Sequence, residues 1–228
     1  MKVLGLTGSI GQGKSTAARM LRRLGLPVHD ADATVHRLLA PGGGAVGPIA
    51  AAFPGTVTAG AVDRGRLGQL VFADPAALRR LEAILHPLVR AAERDFLKRQ
   101  ARRRRRLAVL DIPLLFETGG ERRCDAVAVV VAPAFLQRQR VLRRPGMTAA
   151  RLAAIRAQQL PDALKTRRAD FVVPTGTGMV PALRRLKAAV KVLVSRPGRG
   201  KWPPGPSIHR GGPCARSSST PKPPASTR

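Results

Sequence analysis

Residues 3–24, VLGLTGSIGQGKSTAARMLRRL, hold the pattern on which the fold turns. Val3, Leu4 and Leu6 form an apolar β-like run that leads into Gly8-x-x-x-x-Gly13-Lys14-Ser15. An amphipathic segment follows, with Met20, Leu21 and Leu24 as a core-facing stripe and Arg19, Arg22 and Arg23 left for water. Strand, glycine loop and helix in that order are the context in which the Walker A spacing cradles phosphate. Glycines at Gly8, Gly11 and Gly13 let consecutive N–H groups turn inward toward an anion, and the N-terminus of the next helix adds its partial positive charge. In such a cradle Lys14 reaches the β/γ-phosphates and Ser15 offers a hydroxyl to Mg2+, and Gln12 and Thr16 count with the loop glycines among the expected cofactor-binding residues. Gly25 is placed to stop that helix.

Working outward, "LPVHDAD" reads as a short strand that delivers Asp30 and Asp32 at its C-terminal end, where parallel α/β sheets bind ligands. A helix runs from there to the breaker Pro41-Gly42-Gly43-Gly44. From Asp63 to about residue 100 the spacing is helical, with Asp74-Pro75 as an N-cap followed by proline, and Pro87 must kink or divide that helix. "RLAVLD" returns to the sheet and ends in Asp111. "DAVAVVVA" at 125–132 is a continuous apolar run typical of a strand covered on both faces. A helix carrying Gln137, Arg138, Arg140, Arg143 and Arg144, a second helix capped by Thr148, the strand "ADFVV" and a closing amphipathic helix complete the pattern. Alternating strands and helices predict an α/β fold, a three-layer α/β/α sandwich around a parallel sheet.

The expected organisation is one domain over residues 1–194 and a disordered basic Pro/Gly/Ser-rich tail over 195–228. Within the domain, the core takes about 1–58, 107–132 and 169–194, a helical acceptor-binding part about 59–106, and a helical lid about 133–168. The net charge of +28, from 41 Lys+Arg against 13 Asp+Glu, would attract any polyanion. Aromatic residues, at 3%, are not interleaved with the basic ones, and no zinc-knuckle spacing occurs. The run Arg102–Arg106 reads as a solvated loop. Cys124 and Cys214 are too far apart for a metal knuckle and read as free thiols. The longest apolar run is too short to span a bilayer, so a soluble cytoplasmic protein is the expectation.

Taken together, "GLTGSIGQGKST", "DADATVHRL", "VDRGRLGQLVFAD", "LEAILHPLV", "LDIPLLFETG", "CDAVAVVVA", the Gln137/Arg140/Arg144 helix, Gln159 and "ADFVV" resemble, in order, the dephospho-CoA kinase family over residues 1–194. Two features depart from its pattern. Ser9 stands where a glycine is usual, and "PTGTG" with Pro174 and Thr175 stands where an Asn-Gly-type pair is usual. The resemblance implies transfer of the ATP γ-phosphoryl group to the ribose 3′-hydroxyl of dephospho-CoA, with ATP and Mg2+ as cofactors. It implies neither a specific nucleic-acid partner nor a membrane.

Asp32 matches the family's proposed base, and is otherwise an N-cap for a helix beginning at Ala33. Arg140 and Arg144, four apart on one helix face, would close over the phosphates, or else belong to a solvated basic helix. Asp111 would orient Mg2+, or merely cap the next turn. Arg64 and His86 are the candidates for the acceptor, with a surface role and a place packed in the helix kink as their plainer readings. Another small-molecule phosphate-loop kinase is the nearest rival function, and a charge-driven nucleic-acid binder is the rival of a different class.

Overall fold

A computed structural model describes residues 1–197 together with Gly200 and Trp202. The elements in chain order are β1 (Lys2–Thr7), α1 (Lys14–Arg23), β2 (Val28–Asp30), α2 (Ala31–Leu39), α3 (Val46–Ala52), β3 (Val57–Thr58), β4 (Ala61–Val62), α4 (Arg64–Ala73) and α5 (Pro75–Arg102). They continue with β5 (Leu107–Asp111), a 3-10 turn (Gly120–Arg123), β6 (Ala126–Val131), α6 (Ala134–Leu142), α7 (Ala149–Ala157), α8 (Asp162–Arg168), β7 (Phe171–Pro174) and α9 (Met179–Ser195).

Five strands form one sheet in the order β2-β5-β1-β6-β7, and every neighbouring pair is parallel. Parallel strands covered on both faces need apolar residues on both, and the sheet shows this by alternation. Leu4, Leu6, Val109, Ala128 and Val130 face one layer, where Leu21 of α1 and Leu186 and Leu193 of α9 cover them. Val3, Ala108, Leu110, Val127 and Val129 face the other, under Leu97 of α5 and Leu115 and Phe116. Leu4, Leu6, Leu21, Leu110 and Leu186 are fully buried, each worth about 2 kcal/mol of transfer free energy. The three-layer α/β expectation holds.

β1 is the central strand, and the chain crosses first to β2 and β5 on one side and later to β6 and β7 on the other. The loop after β1 therefore lies at the point where strand order reverses, outside the C-terminal ends of the strands. A separate apolar cluster of Leu39, Ile49, Phe53, Val62, Leu67, Val71 and Leu81 joins α2–α5 and the small β3–β4 hairpin beside the sheet. Neither α3 nor this hairpin is predicted from periodicity, because two-residue strands and a seven-residue helix are too short to show one.

Several local expectations are corrected. Of the expected kink or division at Pro87 the division does not occur, since α5 runs unbroken through it. β2 ends at Asp30, not Asp32, and α2 begins at Ala31 with Asp30 as its N-cap, the carboxylate accepting from the Ala33 N–H at 3.0 Å. The caps at Asp74 and Thr148 form as expected, accepting from Ala76 N–H at 2.7 Å and Arg151 N–H at 3.2 Å.

Cys124 is buried and in no disulfide among the described residues, its thiol donating to the Gly120 carbonyl at 3.7 Å, while Cys214 lies outside the described residues. Most of the expected tail also lies outside them. Its described part begins inside α9, which continues to Ser195. It ends with the Trp202 carbonyl accepting from the Met1 ammonium at 3.1 Å. Gly200 lies so close to Met1 that an added Cβ would overlap the Met1 carbonyl oxygen, at 2.0 Å.

Candidate active site

The loop after β1 closes one end of a cleft of about 900 Å3. Gly11 and Gly13 have φ of +76° and +90°, the left-handed region that only glycine enters without strain. Space is equally restrictive: a Cβ on Gly8 would reach 2.3 Å from a Val130 methyl, and one on Gly11 would reach 2.5 Å from a Val141 methyl. With those turns fixed, the N–H groups of Gly11, Gly13, Lys14 and Ser15 find no acceptor among the described residues. They open on the cleft at the N-terminus of α1, an arrangement suited to an anion.

Lys14 carries the electrostatics of the site. Its ammonium donates to Asp111 Oδ1 at 2.8 Å and lies 3.8 Å from Asp32 Oδ2. Asp111 ends β5, with its side chain only 3% exposed, whereas the Asp32 side chain in the first turn of α2 is 65% exposed and lines the cleft. Burial pushes the Asp111 carboxyl above the ordinary carboxylate range, and the charge and hydrogen bond of Lys14 pull it back. Asp30, one strand neighbour from Asp111, is consumed structurally: besides capping α2 it lies 3.6 Å from the Arg22 guanidinium. Ser15 is exposed at the cleft wall, and Thr16 lines the cleft beside it.

Helix α6 and the turn after β7 are tied to the cradle by side chains that sequence spacing does not connect. Arg140 donates to the Thr175 carbonyl at 2.9 Å and to Thr175 Oγ1 at 3.3 Å, and approaches the Gly11 carbonyl at 3.5 Å. Thr175 Oγ1 donates to the Gln12 carbonyl at 2.7 Å, and the Thr175 side chain lies against the space where a Gly13 Cβ would be. This residue, read from sequence only as a departure from the family pattern, joins the cradle, the end of β7 and α6. The helix expected to carry both Arg140 and Arg144 stops at Leu142, so Arg144 lies beyond the end of α6 and does not share a helix face with Arg140, but it is exposed at the cleft rim.

Gln12, expected among the cofactor-binding residues, turns its side chain away from the cleft. Its side chain is 1% exposed, donates to Asp162 Oδ2 at 2.7 Å and accepts from the Ala132 N–H, and it does not line the cleft. It anchors the loop from behind. Ser9 belongs to the same network, donating to Asp162 Oδ1 at 2.5 Å and accepting from Lys165 Nζ at 3.2 Å. Lys165, fully buried, is paired with Glu117 at 2.9 Å, and the Ile10 N–H donates to Gln159 Oε1 at 3.2 Å. A buried lysine survives only with such partners. The hydroxyl of Ser9, where a bare glycine has none, thus connects the cradle to α8.

The two acceptor candidates stand apart. Arg64, at the start of α4, is exposed and donates to His36 Nδ1 at 2.6 Å, while His86 is exposed on α5, and neither lines the cleft.

The metal question is one of donor chemistry. No group of three or more His, Cys, Asp or Glu side chains converges among the described residues. What the cleft offers is hard oxygen, the exposed Ser15 hydroxyl and the Asp32 carboxylate, with the Asp111 carboxylate buried behind Lys14 and not lining the cleft. That set is too small for an all-protein cage and fits Mg2+, which keeps waters and shares substrate phosphate oxygens. Among the described residues no helix is long and apolar enough to cross a membrane.

Comparison with known proteins agrees with this geometry. The family model described as dephospho-CoA kinase matches residues 2–180. A dephospho-CoA kinase of Paramagnetospirillum magneticum is 68% identical over 206 residues, covering 90% of this chain and 95% of that relative. One of Rhodospirillum rubrum is 60% identical over 210 residues, covering 91% and 98%. Among solved structures, a Thermus thermophilus protein superposes with a TM-score of 0.75 at 37% identity, covering 86% of this chain and 98% of that one. The dephospho-CoA kinase of Campylobacter jejuni shares the fold at a TM-score of 0.63 and 24% identity, covering 85% and 98%. The chain belongs to the dephospho-CoA kinase family.

Proposed function

We propose that the protein transfers the γ-phosphoryl group of ATP to the ribose 3′-hydroxyl of dephospho-CoA, giving coenzyme A and ADP. The observation that carries the reading is the Lys14 ammonium at the mouth of the glycine cradle, 2.8 Å from Asp111 and 3.8 Å from Asp32. A phosphate-reading cation and an exposed carboxylate stand within one side chain of each other, as in-line transfer requires.

In this reading the N–H groups of Gly11, Gly13, Lys14 and Ser15 hold the β-phosphate, with Gly8 giving the turn its room. Asp32 accepts the proton of the 3′-hydroxyl as its oxygen bonds to the γ-phosphorus and the bond to the β-bridging oxygen breaks. Lys14 compensates charge on the migrating group, leaving Asp111 to the metal side. Mg2+, held by Ser15 and oriented by Asp111, supplies Lewis-acid neutralisation of the phosphate oxygens when bound. Arg140 is held against the cradle by Thr175, and Arg144 reaches the phosphates from the rim as the lid helices close.

The acceptor lies on the α2 side. Asp32 and His36 are four apart on α2 and share a face, and the bond from Arg64 to His36 links Arg64 to that face. Arg64 there meets acceptor phosphate. His86 has no comparable link to the cleft, and a packing or surface role suits it better.

The test is a coupled assay of ADP release with dephospho-CoA beside a panel of nucleoside monophosphates and shikimate. Turnover with dephospho-CoA at least 10²-fold above the others is expected. Preference for any other acceptor would overturn the assignment while leaving the phosphate cradle in place.

A further inference from the structure

A second cationic concavity lies at the opposite end of the sheet. Arg104, Arg105 and Arg106 line a cavity of about 730 Å3 with Lys2, Arg196 and Trp202. β1 and β5 begin here and end at the cleft, so the two sites are separated by the length of β1, roughly 17 Å.

The arginines are not accounted for by local structure. Arg99 and Arg102, in the last turn of α5, complement the negative end of the helix dipole. Arg104–Arg106 lie beyond the helix, and among the described residues no carboxylate comes within ion-pair distance of them. All three are exposed.

Arg104 occupies a costly position. The Arg105 N–H donates to the Gln100 carbonyl at 3.1 Å and the Arg104 N–H to the Ala101 carbonyl at 2.9 Å, which makes the end of α5 a Schellman motif. Its left-handed position, normally glycine, is Arg104 with φ of +55°. An arginine kept where glycine fits better points to a use for its side chain.

Lys2 donates to the Leu193 and Arg196 carbonyls and so fixes the end of α9 as the far wall, while Trp202 supplies an aromatic surface. Beyond Trp202 the sequence continues with Arg210, Arg216, Lys222 and Arg228 and no acid.

We propose that this groove binds single-stranded nucleic acid, independently of base sequence. Guanidinium forks match phosphodiester oxygens two at a time, and an aromatic wall in a cationic groove accepts stacked bases. A lipid surface fits poorly, since none of the large exposed apolar side chains among the described residues lines the groove. The volume exceeds that of one phosphate and suits a short run of nucleotides. The site is independent of the kinase reading, because none of its residues touches the cleft.

The experiment uses the full chain and fluorescein-labelled single-stranded RNA of mixed sequence, titrated from about 0.05 to 0.2 M salt. The same titrations are run with duplex DNA and with anionic phosphatidylglycerol vesicles. For Arg105→Gln/Arg106→Gln the affinity for RNA falls at least tenfold and the log–log salt slope shrinks by about 1.4, near 0.7 per lost phosphate contact. Arg104→Gly weakens RNA binding several-fold without lowering Tm, whereas a merely structural arginine would lower Tm or leave binding unchanged. Trp202→Ala weakens the single strand and spares the duplex. Phosphoryl transfer to dephospho-CoA is unchanged in all of them.

Unaltered RNA affinity in the arginine variants would assign the binding to charge elsewhere and overturn the proposal. So would tighter binding to vesicles or duplex than to the single strand, or loss of transfer activity with the fold intact.

Discussion

At the residue scale the question is which of the two aspartates at the start of α2 does chemistry. Asp30 is occupied by the Ala33 N–H and the Arg22 guanidinium, whereas Asp32 is exposed and faces Lys14 at 3.8 Å. Asp32→Asn keeps size and leaves the Asp30 cap intact, so Tm changes little, but an amide cannot take the proton. Turnover at saturating substrates is expected to fall toward the lower end of about 10²–10⁴-fold, because proton removal comes late in a loose transfer. Asp30→Asn still caps the helix and should cost far less activity. Steady-state rates of the two variants decide the matter, and the reverse order would move the base away from Asp32. Lys14→Met should lower turnover by about 10²–10³-fold, since a charge aimed at the developing transition state is lost. It also removes the charge and hydrogen bond that offset the burial of the Asp111 carboxyl, so the pKa of Asp111 rises further. A folded Lys14→Met protein with near-normal single-turnover rates would remove Lys14 from the mechanism.

At the element scale, the sequence makes the glycine loop, the sheet strands and the caps at Asp74 and Thr148 legible, because each signal lies within a few residues of the structure it specifies. The start of α2 is misread for the same local reason. Two aspartates flank Ala31, both suit an N-cap, and only the pairing of Asp30 with Asp111 on β5 fixes where the strand stops. The network behind the loop is illegible, since Ser9 and Asp162 are 153 residues apart and no spacing rule joins them. Asp162→Ala leaves the Ser9 hydroxyl and the Gln12 amide without their acceptor, while Lys165 keeps Glu117. The expected cost is about 1–3 kcal/mol, and about 2–4 °C of Tm for each kcal/mol. With the loop loosened, KM for ATP should rise more than kcat falls. Asp162→Asn retains one acceptor oxygen and should recover part of both. Unchanged Tm and KM in the alanine variant would show that the network does not hold the cradle.

For the whole molecule, composition reveals the charge but not its placement. The excess of Lys+Arg suggests polyanions in general, and only the folding of β1, β5 and α9 shows Arg104–Arg106 gathered at the end of the sheet away from the cleft. Stability against pH is likewise a property of the assembled layers. His29 lies in the middle of the edge strand β2, 5% exposed, its ring 5.2 Å from Phe96 of α5 and its Nε2 without a partner among the described residues. Burial is the main reason its pKa lies below 6.5. Arg37 and Arg99 add to that lowering, and Glu93 and Asp30 oppose it. A histidine lowered in the folded state takes up its proton first in the unfolded chain. Its contribution to stability is therefore present above pH 6.5 and is lost as the pH falls from there through the folded value. The slope from this one group can reach about 1.4 kcal/mol per pH unit. Other groups titrate in the same range of acid, so the informative quantity is the difference between the wild type and His29→Phe, which keeps an aromatic ring against Phe96. Denaturant melts at pH 7.5, 6.5, 5.5 and 5.0 should show the variant losing less stability with acid than the wild type, the two curves converging from the acid side. Parallel curves would mean that His29 takes up its proton as readily in the folded sheet as in the unfolded chain, and that burial does not lower its pKa.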